Sequence, residues 1–355
     1  MERRAKTSCA GALLLLAFLG LAVFSGAVFY PNAARADEGG VSFWVPGLFG
    51  SLAAVPQSPG FGFANVYYHT SVTAGGDVAF ARQVSRGRLT TKFSGNLNAD
   101  LNADADLYFA VPSYVFATPL FGAQAAVSLL IPYGQNRTSV DATLNGALGP
   151  FGFNVSGSTA DTVTGVGDLA PQFALRWNFG VNNFMTYVAG DIPVGRYDSQ
   201  RLANLGLGHS AVDAGGGYTY FNPQTGWEFS SVLGFTFNFE NEHTDYQNGV
   251  DMHLDLSASR FVTKELQLGL VGYAYRQVSC DSGSGNRVGC FESQVFGIGP
   301  QIGFIIPMGD LQGYLNIKGY KEFGAEHRAD GWNTWVALGI SAKPPAPASR
   351  PQITK

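Results

Sequence analysis

His253 stands two residues from Asp251 and two from Asp255 in the stretch GVDMHLDLS, and Glu228 and Glu240 lie in the apolar run before it. On an extended chain alternate residues share a face, so this spacing gathers an imidazole and several carboxylates. Such a group is the raw material of an acid–base centre. It is also how inward charges of a barrel pair with one another. A nucleophile to complete a catalytic reading is missing: no serine follows Gly167-Asp168-Leu169 as a serine-esterase block requires, and no G-x-S-x-G occurs. No catalytic residue is therefore assigned, and no cofactor is expected. The histidines at 69, 209, 243, 253 and 327 are too scattered to suggest a metal site. Cys280 and Cys290 flank a Ser-Gly-rich stretch without nearby Cys or His, and in an exported chain they are expected to form one disulfide.

The residues around His253 belong to a pattern that runs along the chain. From Phe296 the even positions read Phe296, Ile298, Pro300, Ile302, Phe304 and Ile306, while Gly297, Gly299, Gln301 and Gly303 stand between them. After the turn MGDL, Leu311, Gly313, Leu315 and Ile317 alternate with Gln312, Tyr314, Asn316 and Lys318. Phe229, Leu233, Phe235, Phe237 and Phe239 likewise oppose Glu228, Ser230, Thr236, Asn238 and Glu240. Period-two alternation of this kind makes strands with one apolar and one polar face.

Asn96, Asn98, Asp100, Asn102, Asp104 and Asp106 share one strand face with Leu97 to Leu107 on the other. Calcium loops draw their ligands from a turn around a glycine, so an acidic face toward water explains this run better. The polar faces supply the candidates for contact with a transported solute. They are Gln172, Arg176, Asp213, Glu228, Asn238, Asp251, His253, Asp255, Gln301, Asn316 and Lys318. The other reading is that these residues only satisfy the interior with water and one another.

Long loops and tight turns alternate between the strands, as in a transmembrane antiparallel up-and-down β-barrel of about twelve strands with both termini on the periplasmic side. The first strand is expected from about Phe61 and the last to end near Ala342, and Gln135 to Thr164 reads as a long Gly, Ser, Thr and Asn loop. A further long connection is expected before Trp332. Trp44, Tyr67, Tyr68, Trp177, Trp227, Tyr273, Tyr275 and Trp332 are placed as aromatic girdles. Pro112, Pro171, Pro193 and Pro300 each remove a ladder donor, and one is expected to mark a kink that opens the wall.

The chain begins like a secretory precursor. Arg3, Arg4 and Lys6 precede an apolar run from Ala10 to Tyr30, and Ala34-Arg35-Ala36 is a small-x-small cleavage site, so residues 1–36 read as a signal peptide. Removing four basic residues (Arg3, Arg4, Lys6, Arg35) and one acidic (Glu2) leaves 18 basic against 25 acidic residues, a net −7. That balance gives no basic footprint for nucleic acid. Only 14% of residues are charged, and the 46 glycines of 355 residues are about twice the usual ~7%. A wall with lipid outside and small residues inside fits both numbers. Residues 37–60 do not alternate, and read either as a periplasmic lead-in or as a plug within the lumen. Residues 343–355, rich in Ala and Pro, read as a disordered periplasmic tail.

Several segments carry a resemblance: WVPGLFGSLAAVPQSPGF, VGDLAPQFALRW, DIPVGRYDSQRLANLG, NPQTGWEFS, HTDYQNGVDMHLD and GYAYRQVSCDSGSGNRVGCFESQVFGIGPQIGF. In this order the chain resembles the outer-membrane barrel family named for the meta-pathway of phenol degradation, a distant relative of the hydrophobic-substrate and fatty-acid transport barrels. The resemblance implies uptake of small hydrophobic or aromatic compounds. It implies as partners the outer-membrane lipid and lipopolysaccharide, and the barrel-assembly machinery. Barrels of this kind usually end on an aromatic residue read by that machinery, whereas here a tail follows the last strand. The competing expectations are a structural or adhesive surface barrel that transports nothing and, third, an outer-membrane enzyme.

Overall fold

The computed structural model describes residues 42–75, 96–148, 151–286 and 289–343. The proposed signal peptide, most of the tail and the stretch 76–95, with Arg82, Arg86, Arg88 and Lys92, which the sequence suggests is a long loop or extended hairpin, lie outside them. The strands are β1 (Gly60–Ala74), β2 (Asn96–Val115), β3 (Gln124–Leu148), β4 (Phe151–Val166), β5 (Ala170–Phe179), β6 (Asn182–Asp191), β7 (Ala211–Phe221), β8 (Trp227–Asn238), β9 (Asp251–Phe261), β10 (Leu266–Gln277), β11 (Gln294–Met308), β12 (Leu311–Glu326) and β13 (Asp330–Ala342). Each pairs antiparallel with its neighbour, and β1 closes the ring against β13 from Phe63–Ile340 to Thr73–Asp330. Closure leaves no sheet edge toward lipid, as a membrane-spanning sheet requires.

The ring is a closed barrel of twelve strands, because β4 and β5 together make one wall strand along β3. The lower part of β3 pairs with β5 (Gln124–Arg176 to Leu130–Ala170), and the upper part with β4 (Tyr133–Val166 to Leu148–Phe151). The expected loop from Gln135 to Thr164 is thus paired strand. Its hydroxyl and amide side chains look like loop composition, yet they alternate with Thr138 and Val140, which are buried. This section extends past the part of the wall formed by β5, and residues 154–158 of β4 are exposed on both faces, so composition there does not alternate. The expected long connection before Trp332 is also absent: β12 runs to Glu326, and residues 327–329 turn directly into β13.

Connections 180–181, 222–226, 262–265 and 309–310 lie at one end, termed here the turn end. Loops 192–210, 239–250 and 278–293 lie at the opposite, loop end. The exposed faces are apolar: Phe229, Leu233, Phe235 and Phe237 on β8, and Ile298 and Ile306 on β11. Among the described residues no helix is long and apolar enough to cross a membrane. Of the prolines, Pro193 lies beyond β6, while Pro112 and Pro300 interrupt one ladder each without shifting register: Ala110–Ile131 resumes at Ser113–Ser128, and Ile298–Lys321 at Gln301–Lys318.

The free edge of β4 is covered by loop 192–210. Arg196 Nη1 donates to the Thr164 carbonyl at 2.7 Å and Arg201 Nη2 to the Thr162 carbonyl at 2.7 Å. Arg201 also grips Asp161 with Nε at 3.1 Å and Nη2 at 2.7 Å, and the Leu202 and Ala203 amides donate to the same carboxylate at 3.2 Å. The Arg201 hydrogen bonds, with help from the Ala203 amide and the Arg201 charge, hold the Asp161 carboxyl well below the usual carboxylate range. Its stabilising contribution is therefore complete above about pH 3.9, the ordinary aspartate value, and is lost as pH falls through the depressed one. Asp161→Asn is expected to speed hydrogen exchange at the Leu202 and Ala203 amides roughly tenfold at pH 7, in keeping with ~1.5 kcal/mol for bonds to a charged group. The difference from wild type should vanish only in strong acid.

Candidate functional site

Inside the ring the polar faces converge. Asp251, His253, Asp255, Ser257 and Ser259 of β9 are all buried, while Leu256 between them is exposed outward. On β8 the inward row is Glu228, Ser230, Val232, Gly234, Thr236 and Asn238. Glu240 departs from the expectation: it lies past the end of β8, is exposed, and takes no part in the lumen.

Residues 42–59 run lengthwise through this lumen. They touch side chains of β3, β5, β7, β8, β9, β11, β12 and β13, which only a segment inside the ring can reach together. Nearest the loop end, Trp44 Nε1 donates to Asp255 Oδ2 at 3.1 Å. The Trp44 ring lies nearly parallel to His253 at 4.9 Å and to Tyr275 at 5.9 Å, and Phe49 lies parallel to His253 at 6.4 Å. His253 Nε2 faces Asp213 Oδ2 at 3.0 Å, and Thr236 donates to that same oxygen at 2.6 Å. Asp255 stands 3.7 Å from His253 Nδ1 on the other side. Asp251 accepts from the Tyr275 hydroxyl at 2.7 Å and from Asn238 Nδ2 at 2.9 Å.

Midway, the Lys318 ammonium donates to the Gly47 carbonyl at 2.5 Å and the Phe49 carbonyl at 3.0 Å. Trp335 Nε1 donates to the Pro46 carbonyl at 3.2 Å. Lower down, Ser51 donates to Glu228 Oε2 at 3.0 Å and the Leu52 amide to Glu228 Oε1 at 3.0 Å. Leu52 holds a left-handed φ of 64°, a conformation that branched residues seldom adopt and that this anchoring maintains. Ser259 donates to Glu228 as well, and Gln301 Nε2 reaches Ser51 at 2.7 Å and Ser257 at 2.9 Å. Asn316 stands behind Gln301 at 3.4 Å. At the turn end Arg176 Nε donates to the Ala53 carbonyl at 3.1 Å, and Gln57 and Gln124 exchange hydrogen bonds. Of the sequence candidates, Gln172 alone is half-buried and outside this set.

Several members were not picked out from sequence. Trp44, Tyr68, Tyr273 and Tyr275 were expected in aromatic girdles, but all four are buried in the lumen. The parity of LQLGLVGYAYRQ carries the signal for two of them: Tyr273 and Tyr275 continue the face of Gln267 and Val271, opposite Leu268 and Leu270. Ser257, Ser259 and Thr219, whose hydroxyl accepts from the Ala54 amide at 3.1 Å, had no signal beyond lying on polar faces, and Ser51 lies in the stretch without alternation. Asp168 closes loop 192–210, accepting from the Gly195 amide at 2.7 Å and the Leu207 amide at 2.6 Å. Cys280 and Cys290 form the disulfide in loop 278–293. Next to it, Asp281 Oδ1 accepts from the Gly249 amide at 3.0 Å, which ties that loop to 239–250.

The family described as "Putative MetA-pathway of phenol degradation" matches residues 66–338. Among solved structures, the COG4313 outer membrane channel from Pseudomonas putida F1 is similar with a TM-score of 0.57 at 14% identity, covering 80% of this chain and 96% of that one. A FadL homologue from Pseudomonas aeruginosa gives a TM-score of 0.40 at 10% identity, covering 87% of this chain and 96% of that one. No curated protein matches the sequence. The first likeness shows a shared fold, that of an outer-membrane channel barrel.

A Cβ on Gly234 would stand 2.2 Å from the Tyr187 hydroxyl and 2.5 Å from His253 Nε2, so this glycine makes room for the His253–Asp213 contact. Gly234→Ala is expected to destabilise the barrel by about 1–3 kcal/mol, the usual cost of overpacking. Gly216→Ala, whose new Cβ would meet only the Met185 carbonyl at 3.4 Å, should be close to neutral. Urea unfolding in lipid vesicles compares the two.

Proposed function

Because the chain belongs to the family described as "Putative MetA-pathway of phenol degradation", we propose that it passes small hydrophobic or aromatic molecules across a bacterial outer membrane. The observation that carries this reading is the segment from Trp44 to Gln57, which fills the lumen yet is held there only by non-covalent contacts. Pro46, Gly47, Gly50 and Pro56 interrupt it, so it packs as an irregular chain that can rearrange without breaking a sheet. A solute is captured among loops 192–210, 239–250 and 278–293, moves down as the segment shifts, and leaves at the turn end. In this reading the turn end and both termini are periplasmic, the loops face outward, and lipopolysaccharide surrounds the projecting wall. The lumen side chains do no chemistry on the solute. They hold the segment and exchange its contacts for water or solute.

A filled lumen would also suit a structural or adhesive barrel that transports nothing, and one experiment separates the readings. The full chain and a variant lacking residues 44–57 are placed in liposomes and tested with a panel of aromatic compounds including phenol, benzyl alcohol and toluene. The transport reading expects measurable flux through the full chain and several-fold faster, less selective flux through the deletion. No flux for any compound through either form would reject it.

A further inference from the structure

Near the loop end the segment inside the barrel places one ring in a shaped seat. Trp44 is buried, and its indole lies nearly parallel to the rings of Tyr275 at 5.9 Å and His253 at 4.9 Å. Tyr273 meets it edge-on at 5.6 Å. The indole Nε1 donates to Asp255 Oδ2 at 3.1 Å. Asp255 Oδ1, also buried, has no hydrogen-bond partner among the described residues. Flat aromatic faces with one acceptor at the ring edge suit any planar ring that carries a donor on its rim, not tryptophan alone.

The seat and its occupant are held differently. Tyr273 and Tyr275 of β10 pair in the ladder with Asp255 and His253 of β9. The Arg328 guanidinium lies over the Tyr275 ring at 4.5 Å, and Asp213 Oδ2 faces His253 Nε2 at 3.0 Å. Trp44 lies outside every strand, and its carbonyl accepts from Ser42 within the same segment at 2.8 Å. The wall grips the segment by the carbonyls of Pro46, Gly47 and Phe49, all beyond Trp44. The indole can therefore leave its seat while these anchors stay in place. The acceptor also limits what can replace it. A carboxylate at the ring edge takes a neutral N–H or O–H, whereas an anionic edge offers no donor and is repelled.

We infer that the place of the Trp44 indole is a binding site for neutral aromatic solutes with an N–H or O–H donor on the ring edge, which Trp44 occupies as a resident competitor. The solute's ring lies against Tyr275 and His253, and its donor meets Asp255. This rests on the transport reading and narrows its substrate class.

The full chain in nanodiscs is titrated with indole and with 1-methylindole, which has the same ring system and no donor, and saturable binding is read above that of empty nanodiscs. Indole should bind wild type most weakly, Trp44→Phe more tightly because the resident ring has lost its hydrogen bond, and Trp44→Ala roughly tenfold more tightly than wild type. In both variants 1-methylindole should bind roughly tenfold more weakly than indole, because it leaves a buried acceptor unpaired. Urea unfolding reports whether each variant is folded, and Trp44→Phe carries the comparison if Trp44→Ala is not. Indole binding equally to every form, or to none, overturns the site. Binding of 1-methylindole as tight as that of indole overturns the donor requirement and the solute class with it. Absence of aromatic flux through wild type in liposomes counts against the transport reading alone, because the titration still reads the site.

Discussion

A buried ammonium must find oxygen, and Lys318 finds it in the Gly47 and Phe49 carbonyls of the segment inside the barrel. The rest of the lumen follows the same requirement. Twelve strands with apolar outer faces turn their polar residues inward, and each inward group loses water unless something replaces it. Glu228 is a buried carboxylate whose oxygens accept from Ser51, Leu52, Ser257 and Ser259. Asp255 takes the Trp44 indole, and Arg176 the Ala53 carbonyl. Wall and segment satisfy each other, so the position of residues 44–57 and the inward polarity of the strands are one constraint seen from two sides.

The wall was legible because lipid and lumen impose opposite demands at alternate positions. β8, β9, β11 and β12 show this, and their buried rows follow the polar faces read from the sequence except at Glu240, beyond β8, and at the start of β12, where Gly313 is buried between half-buried Gln312 and Tyr314. Two kinds of feature resisted. In the upper part of β3 and in β4, beyond the ends of their neighbours, both faces can be polar, and Ser, Thr and Gly there look like loop. Aromatic residues were ambiguous for another reason. A ring near a strand end suits the lipid interface, and Trp44, Tyr273 and Tyr275 were assigned there by type, whereas parity places the two tyrosines inside. The place of the segment itself had no periodic signal, since a chain lying along a lumen touches a different strand at almost every residue.

At the loop end two loops pack against the wall and against each other's apolar side chains. Loop 192–210 lies along the free edge of β4, held by Arg196 and Arg201, and sends Leu202 into the apolar cluster on the inner side of the projecting wall. Loop 278–293 adds Phe291 to that cluster and is clamped by Cys280–Cys290. An apolar cluster of Ala74, Ala99, Leu101, Val140 and Leu202 therefore lies at this end, beyond the stacked rings of Trp44, His253 and Tyr275.

The most direct test of the account fixes the segment to the wall. Ser51 and Ser257 lie with their hydroxyl oxygens 2.5 Å apart, so cysteines at both positions should bridge on oxidation. Flux of benzyl alcohol through Ser51→Cys/Ser257→Cys is measured in liposomes, oxidised and then reduced, beside the parent protein treated identically to account for the native disulfide. A segment that must move predicts flux lost on oxidation and restored on reduction, with the parent unaffected by oxidation. Undiminished flux through the bridged protein would contradict the claim that this segment governs passage.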